Sequence, residues 1–306
     1  MSPKFNDISV DLSHEGKVAT LTFRREKTLN SMLQRSTYPE ILRALRYIDS
    51  IPSVVITVIT GTGRFFSSGQ DLRDVTESAA KRVGMDFSES QAAQHDMLWN
   101  GPGGASLALL EHKKIVVVAL NGPAVGWPAA WIPAADLIVA SDSAYVYMPF
   151  VHIGAMIEAS GSYSWTWRVG GGLASDMILT GRRVAAADLY SAGGVNRVWP
   201  AASFSTELAK FVGELANQCN PNTLLEAKAL IRSPTVVSAM QTAVVNETYH
   251  QVRSPSSYRV NAPTSSALFE PPTKVMRRSG DSASGFAKRL AEIEAKKAGA
   301  KSGGKL

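Results

Sequence analysis

IVVVALNGPAVGWPAAW (Ile115–Trp131) is the stretch whose reading decides the fold of this chain. Its first six residues are apolar without a break, which marks a strand covered on both faces. Asn121–Pro123 reads as a turn, and a helix opens at or just after Trp127. Pro128 suits the first helical turn, where a missing N–H costs nothing and φ is already set. Backbone N–H groups at such an opening lack intrahelical acceptors and can stabilise an anion brought close. Upstream, VVITVIT (Val54–Thr60) runs into GTGRFFSSGQDL, a second strand–turn corner of similar build. Two such corners, each offering a free N–H, can form an oxyanion hole.

Outward from these corners, residues 8–23 alternate around a polar turn at Gly16 and predict a hairpin. Ile41, Leu42, Leu45 and Ile48 fall at helical spacing within a segment from about Ser31 to Asp49, with Pro39 starting its regular part. Residues 76–100 are polar and weakly patterned, and GPGGA (Gly101–Ala105) reads as a loop or a mobile wall over a site. Leu137–Ala140 and Ala144–Met148 read as strands. Ser203–Ala216, Asn222–Arg232 and Val236–Gln251 are helical by pattern, with Pro221 and Pro234 as breaks. Ser254–Pro272 is Ser/Pro-rich, Ala283–Lys297 reads as a short basic helix, and the last ten residues read as a disordered end.

The chain of 306 residues is 45% hydrophobic, enough for one large domain or one plus an appendage. A single cysteine, Cys219, excludes a disulfide framework and a cysteine-based zinc site. The five histidines (14, 95, 112, 152, 250) show no ligand spacing, so no metal is expected. No apolar run reaches transmembrane length and the polar N-terminus is no signal peptide, so the expectation is a soluble, intracellular protein. The net charge of +6 resides in residues 254–306, where ten Lys/Arg face four Asp/Glu. A basic tail on a neutral body argues against nucleic acid as a partner. GTG at Gly61–Gly63 fails GxGxxG because position 66 is Phe, and no Ser sits in GxSxG.

FFSSGQDL (Phe65–Leu72), NGPAVGWPAA (Asn121–Ala130) and ILTGRRVAAADLYSAGGVNRVWP (Ile178–Pro200), with FRREKTLNSM (Phe23–Met32) before them, together resemble the enoyl-CoA hydratase/isomerase, or crotonase, superfamily. The resemblance implies an α/β fold: a crotonase-like spiral of ββα units over residues 5–200. A helical trimerisation or capping region would follow over 201–253, then a linker, basic helix and tail over 254–306. It implies an acyl-CoA substrate, with coenzyme A as part of that substrate and no separate cofactor, and a homotrimer or hexamer. By the same resemblance the oxyanion donors are the N–H groups of Gln70 and Trp127, and Lys27, Leu29, Ser68, Gln70 and Leu72 hold coenzyme A. Trp127 and Pro128 depart from the smaller residues common there, and Pro133 interrupts the helix that follows.

The family's hydratases use two glutamates, at positions that here read Ala130 and Phe150. Eight residues beyond Phe150 stands Glu158, in HIGAMIEASGS. A single Glu at this place resembles the monofunctional peroxisomal-type Δ3,Δ2-enoyl-CoA isomerases. One carboxylate suffices for a 1,3-proton shift, and apolar neighbours raise its pKa toward the range of a general base. The alternatives are another crotonase-fold enzyme, such as a hydratase or thioesterase possibly in secondary metabolism, and a non-catalytic acyl-CoA-binding protein. Asp71 reads as a helix cap, Asn100 as a loop residue, and Trp165 and Trp167 as core or acyl-pocket residues. Gly304-Lys305-Leu306 resembles a peroxisomal C-terminal address read by an import receptor, with cytoplasm as the other expectation.

Overall fold

The computed structural model describes residues 3–71, 73–74, 77 and 85–253. Its strands are β1 (Ile8–Ser13), β2 (Val18–Phe23), β3 (Ile56–Gly61), β4 (Ile115–Leu120), β5 (Ala124–Val125), β6 (Leu137–Ser141), β7 (Tyr145–Tyr147), β8 (Arg183–Ala185) and β9 (Arg197–Trp199). The α-helices are α1 (Thr37–Asp49), α2 (Phe87–Trp99), α3 (Pro102–Leu110), α4 (Trp127–Trp131), α5 (Gly161–Thr180), α6 (Ala186–Ser191), α7 (Phe204–Gln218), α8 (Pro221–Ile231) and α9 (Pro234–Arg253). Two sheets result, a large one ordered β1-β2-β3-β4-β6-β9 and a small one ordered β5-β7-β8. The predicted hairpin forms, with Ile8 opposite Phe23 and Ser13 opposite Val18. From β2 onward the large sheet is parallel.

The unbroken apolar character of β4 has a direct cause. Val116, Val118 and Leu120 enter one hydrophobic cluster, with Tyr38 and Leu45 of α1 and Leu109 of α3. Ile115, Val117 and Ala119 enter another, with Phe204, Val212 and Ala216 of α7. Both faces of the strand are therefore core, as its composition requires. After β4 and after β6 the chain turns into a short strand of the small sheet and then a helix, giving β4–β5–α4 and β6–β7–α5. The segment after β3 does the same with one residue, since Ser67 bridges Ala124 in parallel.

Several elements differ from the sequence reading. Residues 87–99, within the stretch read as polar and weakly patterned, form α2, opened by a capping box: Glu89 N donates to Asp86 Oδ1 (2.8 Å) and Asp86 N to Glu89 Oε2 (3.1 Å). GPGGA is the start of α3 rather than a loop. Its small residues are a packing requirement, because a Cβ on Gly104 would run into the Trp99 carbonyl. Pro221 and Pro234 open α8 and α9 as first residues instead of breaking helices. Pro133 falls where expected to matter: α4 ends at Trp131 and continues as a 3-10 turn, Ile132–Ala134. The expected basic helix, the C-terminal tripeptide and Leu72 lie outside the described residues.

Asp136, just before β6, ties the C-terminal helices to this core. It accepts from Val116 N (2.8 Å) and pairs with Lys228 Nζ (2.8 Å) and Arg232 Nε (2.9 Å) of the α8 end. Met240 and Val244 of α9 are fully buried in the larger cluster.

Candidate active site

The first corner is zipped on both sides. Toward β5, Ser67 N donates to Pro123 O (3.2 Å) and Val125 N to Ser67 O (3.0 Å). Toward the segment before α1, Ser68 N donates to Leu29 O (2.9 Å), Met32 N to Gly69 O (2.9 Å) and Asp71 N to Met32 O (2.9 Å). In a parallel bridge of this register, Met32 bonds the residues on either side of Gln70. The Gln70 N–H must then point to the opposite side, and among the described residues it has no acceptor.

The second corner behaves likewise. Gly126 N donates to Tyr147 O (2.8 Å) and Ala130 N to Gly126 O (3.1 Å), which leaves Trp127 as the first helical residue of α4. Its N–H has no intrahelical acceptor by position and none among the described residues. Gly69 (φ +90°) and Gly126 (φ +67°) both occupy the left-handed region, and the corners touch there. A methyl on Gly126 would lie 3.8 Å from Gly69 Cα, and one on Gly69 only 2.8 Å from Val125 O. The two unengaged N–H groups thus each follow one of two glycines in mutual contact. Space and backbone conformation both call for glycine at 69, and backbone conformation calls for it at 126.

Glu158 lies between the 3-10 turn Pro149–His152 and α5. The residue keeps partial access to solvent while its carboxyl is densely surrounded by protein. Burial first, and the charge of Glu247 second, push its pKa from 4.5 up to about 8. The same segment packs on α4, since a Cβ on Gly161 would lie 3.1 Å from Ala130 Cβ. Ala130 and Phe150, the two apolar replacements, are both buried.

Tyr38 of α1 links this acid to the second corner. Its ring meets Trp127 edge-on (centroids 4.9 Å), Trp127 stacks on Trp131 (4.8 Å), and Glu158 helps to hold the Tyr38 hydroxyl well above its ordinary pKa, after burial. Tyr38 Oη, Trp127 Nε1 and Trp131 Nε1 are buried without a hydrogen-bond partner among the described residues. Sequence reasoning missed Tyr38, whose place on the apolar stripe of α1 hid it among core residues. It also missed Glu247, which sits on α9 at the spacing of buried Met240 and Val244. A carboxylate on an apolar stripe was the available signal.

Of the other expected residues, Leu29 and Ser68 are side by side through the Ser68 N bond, and Lys27 is exposed in the 3-10 turn beside them. Asp71 Oδ1 accepts from Arg73 N (3.1 Å), as a cap does, and Asn100 bonds Asp96 on α2 (2.6 Å). Trp165 is core, donating to Ala129 O (3.0 Å), while Trp167 is 43% exposed. Among the described residues no cluster of His, Cys, Asp or Glu is arranged to hold a metal ion, and no helix is long and apolar enough to cross a membrane. A surface groove of about 820 Å³ between the start of α5 and α9 contains none of Gln70, Trp127 and Glu158.

Residues 13–258 match the family model described as enoyl-CoA hydratase/isomerase. The chain is 31% identical over 238 residues to the Delta(3,5)-Delta(2,4)-dienoyl-CoA isomerase of Pyricularia oryzae, covering 74% of this chain and 84% of that protein. It is 31% identical over 221 residues to enoyl-CoA delta isomerase 2 of Rattus norvegicus, covering 72% of this chain and only 54% of that longer protein. Among solved structures, an enoyl-CoA hydratase from Mycobacterium avium subsp. paratuberculosis superposes with a TM-score of 0.71 at 25% identity, covering 85% of this chain and 99% of that one.

Proposed function

This chain belongs to the enoyl-CoA hydratase/isomerase family, and we propose that within it the chain is an isomerase that moves the double bond of a 3-enoyl-CoA to the 2-position. The observation that supports this reading is a high-pKa carboxylate, Glu158, with both hydratase positions filled by Ala130 and Phe150. Hydration needs a water activated on one side and a proton delivered on the other. A 1,3-proton shift needs only one base that can return what it takes.

In the proposed mechanism the thioester carbonyl sits against the Gln70 and Trp127 N–H groups. Ionised Glu158 removes a proton from carbon 2, and the electron pair moves into the carbonyl to give an enolate. The two N–H groups stabilise the oxyanion, and protonated Glu158 returns the proton to carbon 4. Charge developing beside the buried Trp127, Trp131 and Tyr38 is worth more to fixed donors than it would be in water. Backbone around Ser68–Gln70, with Lys27–Leu29 alongside and Leu72 beyond, would hold the adenine and pantetheine parts of coenzyme A. In this reading the C-terminal Gly304-Lys305-Leu306 is a peroxisomal address, and a fluorescent fusion lacking it should lose punctate localisation.

The test is turnover of 3-enoyl-CoA by Glu158→Gln. The proposal requires a loss of about a hundredfold or more in kcat, the scale of general-base catalysis. Full turnover in the variant would remove the assignment. Product analysis separates the rival reactions: 3-hydroxyacyl-CoA for a hydratase, free coenzyme A for a thioesterase.

A further inference from the structure

Residues 156–162 are held from one helix at two points. Glu247 of α9, only 6% exposed, accepts from Ser160 N through Oε2 (2.8 Å) and from Ser162 N (2.9 Å) and Ser162 Oγ through Oε1. One turn further along α9, Gln251 Oε1 accepts from Met156 N (2.8 Å). Positions four apart share a helix face, so the two side chains grip the loop on either side of Glu158. Between the grips, Ala159 and Ser160 both hold φ +63°, a conformation that costs non-glycine residues free energy and persists only when surroundings enforce it. Glu247 supplies the enforcement at Ser160.

We propose that Glu247 is the positioning residue of this site: it fixes the strained turn that aims Glu158 and places a second, buried carboxyl group close to it. Both Glu247 oxygens accept hydrogen bonds, which favour its ionised form, while burial outweighs them and holds its pKa above the ordinary carboxylate value. Its charge opposes ionisation of Glu158, so the two titrate as a coupled pair. The other elements around Glu158 bring little charge. α1 brings Tyr38, itself in the field of Asp74, α4 brings no titratable side chain, and His152 of the preceding turn lies against Gly181. The inference rests on Glu158 being the base, and its test is read partly without activity.

The experiment follows the Glu158 carboxyl by carbon-13 NMR through a pH titration, in the full chain and in Glu247→Gln, with Glu158→Gln to assign the signal. The expected result is a wild-type midpoint near 8 that moves to lower pH in Glu247→Gln, with the acid limb of kcat/KM moving in step. Glu247→Ala, which frees the turn, should lower kcat about a hundredfold with little change in KM, the effect of an ångström-scale misplacement. Gln251→Ala, lacking only the outer grip, should give a smaller loss of kcat in a folded protein and serves if Glu247→Ala does not fold. An unmoved Glu158 midpoint in Glu247→Gln, or a wild-type midpoint at an ordinary carboxylate value, overturns the proposal. A moved midpoint in an enzyme that exchanges no proton at carbon 2 would instead keep the coupling and remove the isomerase reading.

Discussion

Tyr38 and Trp127 meet edge to face with ring centroids 4.9 Å apart, and this contact joins a hydroxyl in Glu158's field to the residue whose N–H is a proposed oxyanion donor. The Tyr38 hydroxyl is buried with no acceptor among the described residues. Removing an unsatisfied buried hydroxyl relieves a desolvation cost of about 1–3 kcal/mol. Tyr38→Phe is therefore expected to match or exceed wild-type stability in urea unfolding. A clear loss of stability would show that the hydroxyl has a partner.

The two corner glycines should respond differently to a methyl group. Gly69→Ala forces a Cβ to 2.8 Å from the Val125 carbonyl at φ +90°, whereas Gly126→Ala meets nothing closer than 3.8 Å at φ +67°. The first variant should lose more stability, about 2–3 kcal/mol against about 1 kcal/mol for the second. Both should lower kcat more than they raise KM, because each displaces a donor that matters most in the transition state. Equal stability of the two variants by thermal unfolding would contradict this reading of the contact.

The raised pKa of Glu158 fixes the direction of two pH effects. As a base it must be ionised, so kcat/KM should climb with pH and level off above about 8. For stability the sign is opposite. Between 4.5 and about 8 the folded chain holds a proton at Glu158 that the unfolded chain has released. That contribution is full at low pH and is lost as pH rises through the folded pKa. Glu158→Gln should flatten the fall in unfolding free energy across this window, and an unchanged slope would speak against the shift.

Asp136 faces two cations, Lys228 of α8 and the buried Arg232 just past its end. Asp136→Asn leaves Arg232 without its ion-pair partner and Lys228 with only the more distant field of Asp49, in a setting that already depresses their pKa values through burial. The expected loss is about 3–5 kcal/mol, read as an earlier urea midpoint. Kinetic constants of the fraction that stays folded should change little, since the cluster touches none of Gln70, Trp127 and Glu158.

The strands and the two corners were legible because their signals are local. An unbroken apolar run, a Gly/Pro turn and a proline one residue into a helix each have one cheap structural solution. α2 was misread because its side-chain pattern is weak, although Asp86 and Glu89 spelled out its cap. Gly103 and Gly104 looked like loop residues but are there to let two helix ends approach. Glu158 stood out through the family resemblance and its apolar neighbours in sequence, whereas its surroundings in space could not be read. Glu247 comes from almost ninety residues away and Tyr38 from more than a hundred in the other direction. Contacts at such separation leave no trace in a window of sequence beyond a charged or hydroxyl-bearing residue on an apolar stripe.

The central claim is that one acid and two backbone amides generate an enolate at carbon 2. Deuterium wash-in at that carbon of a bound acyl-CoA in heavy water reads this step directly. The account predicts exchange by the wild-type chain and none above background by Glu158→Ala. Exchange that survives the substitution, or its absence from the wild type, would contradict it.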